Sequence, residues 1–184
     1  TTVLRVLALL QQSSSQAATS LRVALAAPTG KAAARLSESL ALGLAQLPQH
    51  LVAHIPTRVH TLHRLLGASR AGDSFAHNPQ NPLLADVVVV DEASMIDLEL
   101  FDALLQALKP GARLVLLGDK DQLASVEAGA VLGDLCQGAL QGGYSESTLA
   151  YLEALQLPQV RAWQVKHGKP SSNPLLQHTT LLRV

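Results

Sequence analysis

The sequence holds a single cysteine, Cys136, which excludes an intrachain disulfide framework and a cysteine-based zinc site and fits a reducing compartment such as the cytoplasm. An excess of charge of either sign is missing as well. With 14 basic residues against 14 acidic ones, no global positive field marks a nucleic-acid partner, so any contact with one has to be local. No apolar run reaches the roughly 18 to 20 residues that a bilayer crossing needs, so no membrane partner is expected. The opening Thr1-Thr2-Val3-Leu4-Arg5 has neither the shape of a signal peptide nor an initiator methionine, and the chain is expected to begin inside a longer protein. Internal repeats are absent, and the one biased stretch is a short Gln/Ser segment at 11–16. What is there is 184 residues that are 48% hydrophobic, enough for one domain with a sizeable core.

Val3, Val6, Leu7 and Leu10 recur at helical steps ahead of the serine run 13–15. Leu21 to Ala27 is a nearly continuous apolar run closed by Pro28, and Leu36, Leu40, Leu44 and Leu47 then mark one face of a helix. Pro48 and Pro56 make 47–57 a loop, after which Leu62, Leu65 and Leu66 describe a short helix that Gly67 stops. Ala71 to Pro82 reads as an exposed loop. Four valines, Val87 to Val90, suit a strand covered on both faces, as in a parallel sheet. Ser94 is placed to cap the next helix with Asp97 at its third position, and Leu100, Phe101, Leu104, Leu105 and Leu108 form its expected buried stripe. Arg113 to Leu117 is the next strand. Strands alternating with amphipathic helices at this spacing predict βαβ units and a three-layer, mostly parallel α/β sheet. Beyond about Gln137 the pattern fades, with a helix expected over 146–155 and a strand beginning over 179–184.

The chemistry concentrates where Val87–Val90 delivers two adjacent carboxylates, Asp91 and Glu92, at the strand's C-terminal end, the edge at which open α/β sheets bind ligands. In a nucleotide-hydrolysing site the first carboxylate holds Mg²⁺ and the second orients and deprotonates the attacking water. Taken alone, the pair is equally readable as acids favouring the dipole of the following helix. A second apolar strand, Leu114 to Leu117, ends at the same edge in Gly118-Asp119-Lys120-Asp121-Gln122. There the Gln122 amide is able to bond a terminal phosphate, the plainer reading being a polar turn. Gly30-Lys31 imitates the end of a phosphate loop, but Leu25 and Ala32 stand where that motif needs Gly and Ser or Thr. Lys31 is otherwise a solvated helix-start residue. His60 and His63 lack a nearby Cys or carboxylate partner in sequence and read as helix-surface or DNA-facing residues rather than zinc ligands.

Together these stretches resemble superfamily 1 helicases of the RecD type. Asp91-Glu92-Ala93-Ser94 is similar to their motif II, Gly118-Asp119-Lys120-Asp121-Gln122-Leu123 to motif III, and Ala27-Pro28-Thr29-Gly30-Lys31 through Leu36 to motif Ia. Thr61-Leu62-His63-Arg64-Leu65-Leu66-Gly67 resembles the Thr-His segment that follows motif Ia, and Ala124 through Asp134 resembles the RecD continuation. The resemblance is close over 1–136 and looser beyond. It implies a RecA-like P-loop NTPase domain, three-layer αβα, truncated at both ends, with 1–184 a partial first motor domain and 137–184 a C-terminal extension of it. It also implies ATP and Mg²⁺ as cofactors, single-stranded DNA and double-stranded DNA ends as substrates, and RecB-like and RecC-like partners in a cytoplasmic heterotrimer, exodeoxyribonuclease V, that repairs and recombines broken DNA.

By position in those motifs, Asp91 would serve Mg²⁺, Glu92 would act as catalytic base, and Gln122 would contact the γ-phosphate, with Asp119 beside it. Thr1 and Thr2, before Val3, resemble the tail of the phosphate loop. Pro28, Thr29, Gly30 and Lys31, with Thr61 and His63, would line a DNA track, since hydroxyls, backbone amides and one lysine suit sequence-independent phosphate contact. The glycines and lysine of the phosphate loop, motif IV and the arginine finger are not in this sequence, so the chain alone is expected to be inactive. A P-loop ATPase working on protein and a non-catalytic assembly module are the rival readings. No carboxylate cluster with a nuclease lysine is evident, and any nuclease activity is expected from another subunit.

Overall fold

Val23–Ala27 forms the first strand, β1, where an apolar run too short for a helix is stopped by Pro28. The computed structural model describes residues 21–45, 55–69, 74–119, 131–137 and 144–154. They divide into two units after Val131. In the first unit β1 leads into α1 (Gly30–Leu44), capped by Thr29, whose hydroxyl oxygen accepts the Ala32 amide at 3.1 Å. Next come β2 (Val59–Thr61), the short helix α2 (Leu62–Leu66), β3 (Val87–Val90), a 3₁₀ turn (Ala93–Met95), α3 (Leu98–Ala107) and β4 (Arg113–Leu116). The four strands form one wholly parallel sheet in the order β2-β1-β3-β4. Helices connecting parallel strands are the α/β architecture that the alternation predicts.

Strand alternation divides the core between two faces. On one, Leu25, Val87 and Val89 pack with Leu36, Leu40 and Leu44 of α1 and with Ile55, joined by the partly buried Val23, Val59, Val115 and Leu117. On the other face Val88 and Val90 are also fully buried, and α2, in contact with β1 and β2, packs against α3. Each valine taken wholly out of water contributes on the order of 1.5–3 kcal/mol, which explains why the all-valine strand holds an interior position.

Two expectations about the helix after β3 are revised, and one strand was not foreseen. β2 falls between the expected loop over 47–57 and the helix through Leu62; three residues are too few for periodicity to register. The helix after β3 begins later than expected. Ser94 does not cap it; Asp97 does, accepting the Leu100 amide at 2.7 Å, because the tight 3₁₀ turn occupies Ala93–Met95. The buried face of α3 is Leu100, Leu104 and Ala107, while Leu105 is 46% exposed and Phe101 and Leu108 are only partly buried. The described part of the loop expected over 71–82 is indeed irregular, tied by isolated bridges Ala68↔Phe75 and Asn78↔Asn81 and by an Asx turn in which the Asn78 side chain accepts the Gln80 and Asn81 amides.

The second unit, taken alone, holds α4 (Val131–Leu135), which starts at the division, and α5 (Glu146–Ala154), close to the helix expected there; Leu132 and Leu149 are their buried residues. The helix expected at 3–10, Leu47 and the strand expected at 179–184 lie outside the described residues.

Candidate nucleotide and nucleic-acid site

All four strands run the same way, so their C-terminal ends share one edge, and the motif residues that are described gather there. β3 ends in Asp91 and Glu92, both partly buried. The Asp91 amide donates to the Ala26 carbonyl of β1 at 3.0 Å, continuing the ladder one residue past the strand. One Asp91 carboxylate oxygen accepts the Glu92 amide at 3.0 Å, which orients the side chain and leaves its other oxygen available. Glu92 has φ 51° and ψ 40°, a left-handed conformation and the sole positive φ among the described non-glycine residues. Such a conformation costs roughly 1–2 kcal/mol in a residue with a Cβ, and strained backbone of this kind gathers at functional sites.

The turn is held from the neighbouring strand: the Ala93 amide donates to the Leu117 carbonyl at 2.8 Å. That bond joins the carboxylate turn directly to the chain that continues into Gly118 and Asp119. Asp119 is exposed beyond the end of β4, two residues past the ladder bond from the Leu117 amide to Val90. Ser94 lies in the same turn, and its hydroxyl is buried without a hydrogen-bond partner. Neither Asp91 nor Glu92 makes an ion pair with a described lysine or arginine. Two adjacent carboxylates without an ion pair among the described residues form a hard-oxygen donor set, which fits Mg²⁺. Thr1, Thr2 and Gln122, the other residues assigned to the nucleotide, lie outside the described residues.

On the other side of β1 the same edge carries Pro28, Thr29, Gly30 and Lys31. The register Ala27↔Thr61 sets Thr61 beside the end of β1. Both threonines do the same local work: Thr29 caps α1, and Thr61 caps α2 by accepting the Arg64 amide at 3.3 Å. Each hydroxyl thus spends a lone pair on its helix and keeps its proton for a donor role toward an anion. Gly30 and Lys31 are exposed at the start of α1. His63 is exposed on α2, its ring centroid 6.1 Å from that of Phe75 at a 49° tilt. The structure therefore brings two groups to one edge, carboxylates after β3 and hydroxyls with Lys31 after β1 and β2.

Sequence patterns did not reveal the left-handed Glu92 or the Ala93–Leu117 bond, because neither glycine nor asparagine marks the first and a backbone bond has no residue signature. The unpartnered Ser94 hydroxyl was read as a cap because serine is a common cap residue.

Comparison with known proteins extends this picture. A family model described as an AAA domain matches residues 1–128. The RecBCD enzyme subunit RecD of Haemophilus influenzae is 48% identical over 181 residues, covering 95% of this chain and 27% of that protein. The subunit of the same name from Mycolicibacterium smegmatis is 52% identical over 150 residues, 79% of this chain and 27% of that protein. The ATP-dependent RecD2 DNA helicase of Deinococcus radiodurans is 39% identical over 142 residues, 77% of this chain and 17% of that protein. The chain thus spans about a quarter of the length of the RecD relatives.

Proposed function

The chain belongs to the AAA domain family and is RecD-like in sequence, and on that footing we propose that it forms part of the first motor domain of an ATP-dependent 5′-to-3′ DNA helicase subunit. That subunit works with RecB-like and RecC-like partners on DNA ends, in cytoplasmic double-strand break repair and recombination. One observation carries the reading: Asp91 and Glu92 stand at the C-terminal edge of a parallel sheet with no ion pair to a described residue, in a turn bonded to the end of β4.

When bound, Mg²⁺ would supply charge neutralisation at the nucleotide phosphates, and Asp91 would hold it. Glu92, turned by its left-handed backbone, orients and accepts a proton from water. Asp119 and Gln122, following β4, attend the terminal phosphate. The Ala93–Leu117 bond makes the two loops move together, so a change at the phosphate is felt in both. Thr29, Gly30, Lys31, Thr61 and His63, with Pro28 shaping the turn, hold the DNA backbone beside them.

The test uses the full-length protein. Wild type is expected to hydrolyse ATP only with Mg²⁺ and faster with single-stranded DNA. Glu92→Gln lowers turnover by at least about 10²-fold while retaining nucleotide binding, and Asp91→Asn weakens the dependence of binding on Mg²⁺. An ATPase that DNA does not stimulate points to a motor acting on another polymer. Unchanged turnover in the folded Glu92→Gln variant sinks the catalytic assignment.

A further inference from the structure

Charge is balanced over the whole chain but not along it. No Asp or Glu occurs from Ser39 to Gly72, a stretch that contains Arg58, His60, His63 and Arg64. In the fold Arg58 directly precedes β2, His60 lies in it, and His63 and Arg64 lie in α2, at the outer end of the sheet order. Val59 packs into the core shared with α1, so strand alternation turns His60 toward the opposite face, with Arg58 exposed just before the strand. α2 contacts β1 and β2 and packs against α3, with Arg64 on its exposed side. Arg58 and Arg64 are both exposed, and neither forms an ion pair with a described residue. The starts of the interior strands β1 and β3 show the contrast, for there Arg22 and Lys109 share the Asp86 carboxylate. The pKa of His60 is lowered, first by burial and then by the charges of Arg64 and Arg58, as expected where cations lie near one another.

We infer that Arg58, His60 and Arg64 form a second anion site, on the outer edge of the sheet, which takes the sugar-phosphate backbone of single-stranded DNA. This rests on the helicase reading above and extends its DNA contacts from the strand ends at Thr29 and Thr61 around the edge strand. Two exposed guanidiniums suit phosphate oxygens, which they bind through paired N–H donors. A bound phosphate supplies a negative charge that no described ion pair provides to these arginines, and the partly buried imidazole is able to donate to it as well. Basic residues beside an edge strand also deter pairing with other chains; that role alone predicts no effect on DNA affinity.

The experiment measures binding of a fluorescein-labelled oligothymidylate to the full-length protein by anisotropy across a salt series. The variants are Arg58→Gln/Arg64→Gln, Arg58→Lys/Arg64→Lys, and Arg113→Gln, the last removing an exposed cation at the opposite sheet edge. Each phosphate contact on a single strand contributes about 0.7 to the slope of log affinity against log salt. The glutamine pair is expected to flatten the slope by about 1.4 and to weaken binding roughly 60-fold at about 50 mM salt. The lysine pair keeps the slope, and Arg113→Gln leaves it unchanged. Circular dichroism and gel filtration establish that each variant is folded and in the wild-type assembly state.

A glutamine pair that keeps the wild-type slope overturns the proposal, including when it self-associates or loses affinity for polyglutamate instead. An equal flattening by Arg113→Gln overturns it too, since the effect is then one of net charge. If wild type fails to bind the oligonucleotide at all, the helicase reading fails first. If wild type binds with a steep slope that the glutamine pair retains, only the second site is lost.

Discussion

Glu92 is the residue at which backbone and chemistry conflict. Its left-handed conformation is disfavoured for glutamate but tolerated by asparagine, whose short amide can bond its own backbone. Glu92→Asn is therefore expected to raise the unfolding free energy by up to about 1 kcal/mol while abolishing turnover; Glu92→Gln also loses turnover but gains no stability. Urea denaturation beside an ATPase assay reads both, and a less stable Asn variant removes strain as the explanation. Gly67 shows the same conformation at a residue suited to it. With φ 71° it ends α2, donating to the Arg64 carbonyl, and an added Cβ would lie 2.9 Å from the Ala76 Cβ. Gly67→Ala is expected to cost about 1–2 kcal/mol from the left-handed backbone alone, with the contact adding to it, seen as a lowered melting temperature. Gly67 was readable because glycine commonly ends helices, and the Asp91-Glu92 pair because four valines precede it. The cap was not, since Ser94 and Asp97 are both good cap residues and only the tight turn decides between them.

At the scale of elements, α3 shows what an apolar pattern leaves open. Leu98, Leu100, Phe101, Leu104, Leu105, Ala107 and Leu108 cover so much of its circumference that several arcs qualify as the buried one. Packing selects Leu100, Leu104 and Ala107, with the Ala107 carbonyl also accepting the Leu83 amide at 2.8 Å. Adjacent leucines then have opposite weights. Leu104, with no exposed surface, is expected to cost about 2–5 kcal/mol when cut to alanine; Leu105→Ala is expected to stay within about 0.5 kcal/mol. Chemical denaturation of the two variants decides it, and equal losses would mean that the periodicity reading was right and the packing wrong. β3 was legible for the converse reason: Val87 to Val90 leaves no polar face, so only an interior strand accommodates it. β2 was not, because Val59-His60-Thr61 gains its strand character from β1 beside it rather than from its own pattern.

For the whole sheet, alternating strands and helices announce parallel pairing, but the order β2-β1-β3-β4 depends on contacts between distant segments. One residue ties several of these together at the edge opposite the carboxylates. Asp86 precedes β3; its carboxylate accepts the Arg22 amide at 2.7 Å and a short bond from Lys109, while its carbonyl accepts the Arg113 amide at 2.9 Å. The starts of β1, β3 and β4 and the end of the α3 connection thus meet on one side chain and its backbone. The bond from Lys109, the Arg22 amide and the Lys109 charge hold the Asp86 carboxyl down at about 2, from the ordinary 3.8. Because the folded value is the lower one, the unfolded chain binds the proton more readily. The contribution is complete above about pH 4 and disappears as pH falls from 3.8 toward 2. Asp86→Asn is therefore expected to unfold at lower urea than wild type at pH 7, with the gap narrowing between pH 4 and pH 2. Added salt should also narrow the gap at neutral pH, since the ion pair is partly exposed and open to screening. A gap that persists undiminished to pH 2 would mean that the charge on Asp86 does not hold the strand starts together, and that shape and neutral hydrogen bonds suffice.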